Sequence, residues 1–258
     1  RGALAPGYKA DICVFDNLVN FQPQLVIKNG AVIVNKQKLL WQSTPLLSAP
    51  ANTMRLENVH KQQLQIPARP GKKARVIRIV PEQILTEADY MLPEVQAGFV
   101  VSDTRRDILK LAVWERHGGN GNTGVGLVHG FGLKRGALAS TVAHDSHNLI
   151  VVGADDRDML AAAVALQEVG GGLAVVADGE VKALLPLPLA GLMSDQNTEF
   201  VQHKLQQLHF WAAELGVPEN VNAFNCLSFL ALPVIPRLRL SDKGLVDVDQ
   251  FALVDLWE

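Results

Sequence analysis

The run LIVVGADDRDMLAAAVALQEVGGGLAVVADG, residues 149–179, decides the fold class of this chain. Its apolar start, 149–153, predicts a buried strand, and the segment 156–168 predicts a helix. Asp155 can accept hydrogen bonds from the free N–H groups of that helix, and the glycines 170–172 end it. A strand followed by a capped helix is therefore expected here.

The residues on either side extend this pattern into a sheet with helices. A long amphipathic helix is expected at about 196–215, with Ser194 or Asp195 as its cap and Gly216 at its end. Strands and helices alternate without strict β-α-β order, which predicts an α+β fold with a mixed sheet. The other predicted strands lie at 76–80, 97–101, 108–113, 125–128, 136–142, 173–176 and 181–185.

The first 45 residues show a different organisation. Short apolar runs at 12–15, 25–27 and 31–34 predict strands, and Asn29-Gly30 predicts a tight hairpin turn between the last two. Because so few strands make no core, we expect them to add to a sheet from elsewhere in the protein. The proline-rich segment 46–73 is predicted to be a linker, followed by a second domain at 74–258.

Composition and charge exclude several classes of protein. The 258 residues include 24 Lys and Arg against 26 Asp and Glu, a net charge of −2, which argues against a nucleic-acid binder. The basic residues of 69–78 are interpreted as a solvated linker rather than a phosphate site. Cys13 and Cys226 are expected to be buried thiols in a reducing compartment. No apolar stretch is long enough to span a membrane, so we expect a cytoplasmic protein.

A glycine-rich motif, Gly119-Asn120-Gly121-Asn122-Thr123-Gly124, matches the dinucleotide-binding pattern G-x-G-x-x-G. The pattern requires a helix after the motif, whereas residues 125–128 continue as an apolar, strand-like run. Nucleotide binding is therefore not expected, and a loop that covers a ligand remains open. His129 follows this strand and is set apart from the other isolated histidines by the neighbouring glycine-rich loop. The others, His60, His117, His203 and His209, are expected to be structural or exposed.

The most informative cluster is His144-Asp145-Ser146-His147-Asn148, five polar residues between two apolar runs. Imidazole and carboxylate groups at a strand end can hold a metal, transfer a proton or bind a heterocycle. The alternative is a turn in which Asp145 and Asn148 bind backbone amides. The segment 186–195 contains no G-x-S-x-G motif, so a serine hydrolase has no support.

Several stretches together resemble the C-terminal region of bacterial adenine deaminases. The runs GFGLKRGALAS at 130–140 and VAHDSHN at 142–148 carry the resemblance, and residues 2–11 resemble the point where amidohydrolase chains leave their catalytic barrel for a small β-sandwich. Further agreement lies in GGGLAV at 170–175, LPLAGLMS at 187–194, and the segments 232–236 and 240–247.

The resemblance implies an activity and a division of the protein. It implies hydrolysis of adenine to hypoxanthine and ammonia, as in purine salvage, by manganese or iron ions in a (β/α)8 barrel that is not in this chain. Residues 1–45 would belong to a composite β-sandwich and 74–258 to a C-terminal α+β domain. No H-x-H, H-x-E or P-C-x-x-C motif occurs here, so the chain alone is expected to be inactive and to need an upstream barrel.

Two roles for the C-terminal domain remain open. The residues His144, Asp145, Ser146, His147 and Asn148, together with His129, would enclose adenine; a metal held by His144 and His147 is an incomplete alternative. The domain would otherwise be an assembly module of a homo-oligomer, with the helix at 196–215 and the run 224–235 contacting other subunits. Those two segments are equally well explained as core.

Overall fold

A computed structural model describes residues 1–41, 53–56 and 59–258. The chain forms two compact units, Arg1–Ala49 and Pro50–Glu258, here called unit 1 and unit 2. Residues 46–52, 57 and 58 of the predicted linker lie outside the described residues. Two later residues of that segment, Leu64 and Ile66, are buried in the core of unit 2.

Unit 1 contains a four-stranded antiparallel sheet in the order β1-β2-β3-β4. The predicted Asn29-Gly30 turn is confirmed, since both residues have positive φ (48° and 81°), as a type I′ turn requires. Cys13 lies on an exposed face of β1, so the expectation that it is buried was wrong. The strands are β1 Ile12–Phe15, β2 Pro23–Lys28, β3 Ala31–Asn35 and β4 Lys38–Leu39.

The described part of unit 2 is built on an eight-stranded mixed sheet in the order β14-β13-β11-β12-β9-β10-β5-β6. All neighbouring pairs run antiparallel except β5 and β10, in which Ile77 lies opposite Val128. This arrangement confirms the predicted mixed sheet. Its strands are β5 Ala74–Ile79, β6 Thr86–Met91, β9 Ile108–Trp114, β10 Thr123–His129, β11 Ala137–Ser140, β12 Leu149–Gly153, β13 Gly172–Ala177 and β14 Glu180–Pro186.

Two small sheets accompany the large one. The predicted strand 97–101 begins only at Phe99, because Ala97 and Gly98 adopt positive φ and form the turn before it. The first small sheet pairs β7 Glu94–Gln96 with β8 Phe99–Val101, and the second contains β15 Leu238–Ser241, β16 Gly244–Asp247 and β17 Ala252–Leu253.

Three α-helices lie among the described residues: α1 Asp156–Glu168, α2 Thr198–Glu214 and α3 Ala223–Phe229, with a 3-10 helix at Lys61–Leu64. Asp155 caps α1 as predicted, accepting from the N–H of Asp158 at 2.9 Å. The cap predicted for α2 was wrong. Asn197 accepts from the N–H of Phe200, while Ser194 and Asp195 bind the backbone and side chain of Gln196 instead.

The core lies on both faces of the large sheet, because neighbouring side chains of each strand point to opposite faces. On one face α1 packs against Ala112, Ala139 and Val151, and on the other α2 and α3 pack against Leu111 and Leu138. Burying a leucine-sized side chain stabilises a fold by roughly 1.5–3 kcal/mol, so the apolar side chains of these two layers stabilise the packing of the helices on the sheet.

Several charged side chains are enclosed in this fold. Lys110, in the middle of β9, is 1% exposed, and its ammonium lies 2.7 Å from Asp156 and 3.1 Å from the carbonyl of Leu64.

The interpretation of 69–78 as a solvated linker was wrong in its second half, because β5 includes Arg75 and Arg78. Arg75 donates to the Trp257 carbonyl and Arg78 to Asp89.

Candidate functional site

The five residues His144–Asn148, here called the polar turn, connect β11 to β12. In the sheet, Trp114 at the end of β9 lies opposite both Leu149 at the start of β12 and Thr123 at the start of β10. The polar turn therefore lies at the end of the sheet where β9 stops and where β10 and β12 begin. Side chains from all three strands can meet there.

His144 is fixed by its backbone and by two aromatic neighbours. Its N–H donates to the carbonyl of Ser228 in α3 at 2.9 Å. Its ring lies 4.8 Å from the ring of Phe229 and 5.5 Å from that of His147, the latter pair edge to face. The imidazole is thus held by packing between α3 and the rest of the polar turn.

His147 adopts the left-handed conformation, with φ 51°, and its N–H donates to the Ala143 carbonyl. Its Nδ1 is buried and has no hydrogen-bond partner among the described residues. Burial lowers the pKa of His147, and the neighbouring His144 and Arg116 lower it further against the opposing effect of Asp145. At neutral pH the ring is therefore uncharged, with one nitrogen able to accept a proton or a hydrogen bond.

Arg116, just beyond the end of β9, is a site residue that the sequence analysis missed. Its guanidinium is buried, donating from Nε to the carbonyl of His147 and from Nη2 to that of Ala190. A Cβ on Gly191 would lie only 2.8–2.9 Å from three guanidinium atoms, so glycine allows the backbone to lie against the group. Burial lowers the pKa of Arg116, partly offset by Glu115.

Asn148 is 3% exposed and extends the cluster toward the β15–β16 turn. Its Nδ2 donates to Asp242 at 3.2 Å, and Asn122 donates to the other oxygen of the same carboxylate at 3.4 Å. The Asn148 Oδ1 and Arg116 Nη1 are buried without partners in the described part of the chain. His147, Asn148 and Arg116 thus each keep one buried polar atom without a partner in the described part of the chain, and most buried polar atoms in folded proteins have one.

The remaining predicted site residues separate into two groups. Asp145 and Ser146 are exposed, and the carbonyl of Ser146 is 2.7 Å from the Nε2 of His117. His129 is not brought to the polar turn. It ends β10, at the opposite end from Thr123, and its Nδ1 lies 2.9 Å from Asp89.

The glycine-rich loop 119–124 leads into β10 beside Asn148, with no helix after it, as the sequence predicted. Glu115 holds the approach to this loop. Burial raises the pKa of Glu115, but hydrogen bonds from the N–H groups of Gly118, His117 and Asn120 lower it more. The Glu115 carboxylate therefore accepts hydrogen bonds from the backbone of the loop. It forms no ion pair with the Arg116 guanidinium.

Comparison with known proteins identifies the domain that carries this cluster. A family model described as the adenine deaminase C-terminal domain matches residues 83–252. The chain belongs to this family. The matched residues include the whole polar turn, Arg116 and Asp242, so the cluster lies within the adenine deaminase C-terminal domain.

Curated adenine deaminases are similar to nearly the whole chain. Adenine deaminase 2 of Carboxydothermus hydrogenoformans is 51% identical over 98% of this chain and 44% of its own length. The adenine deaminases of Desulfatibacillum aliphaticivorans and Methanothrix thermoacetophila are each 48% identical, over 100% and 99% of this chain and 45% and 44% of their own lengths. The chain thus spans less than half the length of these relatives.

The described residues of this adenine deaminase domain do not fit a metal site. They contain no group of three or more His, Cys, Asp or Glu side chains placed to hold an ion. His144 and His147 lie together, but no third ligand joins them in the described ranges.

In addition, no helix in those ranges is both long and apolar enough to cross a membrane.

Proposed function

We propose that the protein containing this chain hydrolyses adenine to hypoxanthine and ammonia, and that this chain is its C-terminal part. The observation that carries the proposal is 51% identity to an adenine deaminase over 98% of the chain. An identity spread over both units is more specific than a shared motif. A role in purine salvage in the cytoplasm is part of the same proposal.

The chemical step itself is assigned to residues outside this chain. The described residues contain no group of side chains that could hold a metal ion. Manganese or iron would be held in an upstream (β/α)8 barrel, supplied by the remaining length that the relatives have. Unit 1 would then contribute its strands to a composite β-sandwich with that part of the protein.

For unit 2 we propose that the polar turn helps to enclose adenine. The uncharged His147 ring offers a nitrogen to a neutral purine without the cost of burying a charge. Asn148 Oδ1 and Arg116 Nη1 are an acceptor and a donor with unmet hydrogen bonds; both are enclosed in this structure, so a ligand would reach them only through a movement of the polar turn. Closing such groups over a substrate would exclude water from the reaction.

Assay of adenine turnover tests the division of labour. This chain with added Mn²⁺ should form no hypoxanthine, whereas a longer protein that includes the proposed barrel should do so. Turnover by the chain alone would refute the proposal. A longer protein that is loaded with Mn²⁺ or Fe²⁺ but does not deaminate adenine would refute it as well.

The role of the polar turn is tested in that longer protein. His144→Ala and His147→Ala should lower kcat/KM for adenine far more than they lower Tm, because the rings would contact substrate. The exposed His203 on α2 is a matched control, and His203→Ala should change neither quantity. Parallel losses of kcat/KM and Tm in the two polar-turn variants would instead indicate a structural turn.

One observation favours assembly as a second candidate function. Phe210 on α2 is 58% exposed, and its ring lies 5.7 Å from that of the neighbouring Trp211, so the helix carries an aromatic surface. In the run 224–235, by contrast, Phe224, Leu227 and Leu230 are buried in the core. Contacts in a homo-oligomer would therefore involve α2, and light scattering of wild type and Phe210→Ser would test this. A monomer in both cases would count against assembly.

A further inference from the structure

A cavity of about 140 Å³ lies between the β5–β6 loop and α3. Val80 and Leu85 line it from the loop, and Cys226 and Phe229 line it from the helix. An apolar protein cavity of about 150 Å³ is large enough to admit benzene. One aromatic ring therefore fits inside the cavity, and because the cavity is partly open to solvent a second, fused ring can extend outward. Nothing in the proposed reaction uses this cavity.

Three ionisable side chains line the cavity: Glu82, Cys226 and Arg239. Burial raises the pKa of the Cys226 thiol to about 12, so the thiol stays uncharged. Arg239 also borders the cavity, but it is 1% exposed and its three nitrogens all donate to backbone carbonyls. The four acceptors are those of Ile235, Phe229, Ile84 and Pro236. Four of the five N–H groups of Arg239 are thus engaged by backbone carbonyls. The exposed Glu82 carboxylate at the cavity would repel an anion, so the lining favours a neutral ligand.

Two side chains of α3 provide the specific contacts. Phe229 presents an aromatic ring, against which a planar ligand can stack. Asn225 is exposed at the same cavity, and its carboxamide can donate and accept at once. This combination suits a ring with a hydrogen-bonding edge. Phe229 also contacts His144, so the cavity and the polar turn share one side chain.

We propose that this cavity binds a small neutral aromatic heterocycle, with one ring against Phe229 and its polar edge hydrogen-bonded to Asn225. Purine bases are the class that fits, an assignment that rests on the proposed function; the ring-binding cavity itself does not depend on it. A bound base would press on the shared Phe229 and so change the surroundings of His144. The domain would then carry a purine site separate from the reaction centre.

The two cysteines of the chain allow a direct test. Cys226 lines the cavity and Cys13 is exposed in the other unit, so Cys13 serves as an internal reference. The rate at which methyl methanethiosulfonate modifies each thiol is followed by peptide mass spectrometry with adenine, hypoxanthine, benzimidazole or toluene present. Because the thiolate is the reactive form and little of Cys226 is ionised, long exposures are used, and each rate is compared with that of the same thiol without ligand. At ten times Kd, a ligand should slow Cys226 about tenfold and leave Cys13 unchanged. Benzoate, a ring of similar size with a negative charge, should protect neither.

Variants separate the ring contact from the edge contact. Asn225→Ala should weaken protection by adenine by about three- to tenfold and leave toluene unaffected, since only adenine has an edge to bind. Cys226→Leu should fill the cavity and abolish binding of every probe. Because this variant lacks the thiol, binding is measured by saturation-transfer NMR. If that variant does not fold, the Asn225→Ala result and the benzoate control still test whether the cavity binds a neutral ring.

Two results would overturn the proposal: no protection of Cys226 by any neutral probe at its solubility limit, or equal protection by benzoate. Protection by benzimidazole and toluene but not by adenine or hypoxanthine would overturn the purine assignment alone. Adenine turnover by the longer protein tests the proposed function and not the cavity. The two experiments thus distinguish failure of the proposed adenine hydrolysis from failure of the proposed ring-binding cavity.

Discussion

The guanidinium of Arg116 donates a hydrogen bond to the backbone carbonyl of His147, a residue held at φ 51°. The same side chain reaches the carbonyl of Ala190, which has φ 60°. Left-handed backbone at a residue with a Cβ costs free energy and persists only where the surroundings hold it. One buried arginine therefore fixes two unfavourable backbone positions in loops that are far apart in sequence.

Replacing Arg116 should change how His147 titrates. In Arg116→Met the nearby positive charge is lost, so the pKa of His147 should rise toward its ordinary value, although burial continues to lower it. Arg116→Lys keeps the charge and should keep more of the shift. NMR titration of the imidazole protons measures this, with Arg135→Met, an exposed arginine paired with Asp178, as the control. Identical His147 titration in the Met and Lys variants would contradict the assigned effect of the charge.

The lowered pKa of His147 also predicts a pH dependence of stability. In the unfolded chain the ring protonates near its ordinary pKa of about 6.5, whereas in the fold it stays neutral to lower pH. The unfolded state then binds more protons, so the free energy of unfolding should fall as pH drops below about 6.5. Urea unfolding at a series of pH values should show a smaller fall in His147→Asn, which tolerates positive φ. His203→Asn should behave like wild type, and a wild-type stability that rises on acidification would contradict the prediction.

Gly191 should be intolerant of a side chain. It has φ 72°, and its added Cβ would lie 2.8–2.9 Å from the Arg116 guanidinium. Gly98 has a similar φ of 83° with nothing within 4 Å of its Cβ position, so Gly98→Ala isolates the backbone cost of about 1 kcal/mol. Gly191→Ala should cost about 1–3 kcal/mol more, because of overpacking. Equal Tm values for the two variants would show that the loop moves freely away from Arg116.

The cap of α2 offers a fourth prediction. Asn197→Ala should lower the free energy of unfolding by about 1 kcal/mol, because the N–H of Phe200 loses its acceptor. Asp195→Ala removes only a contact to an exposed side chain and should have little effect. Chemical denaturation of both variants gives the comparison. A larger loss of unfolding free energy in Asp195→Ala than in Asn197→Ala would indicate that Asp195 is the cap, as the sequence first predicted.

The regular elements could be predicted because local patterns determine them. The helix α1 and its Asp155 cap follow from a side chain and a periodicity within one short segment. The α2 cap was missed because Ser194, Asp195 and Asn197 are all suitable caps, and only the path of the chain selects among them. The strand β6, Thr86–Met91, has no regular alternation and forms because β5 offers it an edge.

The site was predictable only in part. The density of polar residues at His144–Asn148 identified the turn, whereas Arg116 stands alone in sequence after a strand. What makes Arg116 a site residue is its contact with His147 and Ala190, and these lie 31 and 74 positions away. Asp242 is a similar case, 94 positions from its partner Asn148. A single sequence gives no signal for such pairs, whose members come together only in the fold.

The contacts of β5 with residues 255–258 also affect when the sheet can be completed during synthesis. Arg75 donates to the carbonyls of Asp255 and Trp257, 180 and 182 positions later, and Glu258 donates to Lys73. While the ribosome has yet to add those residues, the flank of the sheet at β5 lacks its last partners. Contacts of such long sequence separation form slowly and late. The central strands can thus assemble during translation, while the flank at β5 waits until residues 255–258 emerge.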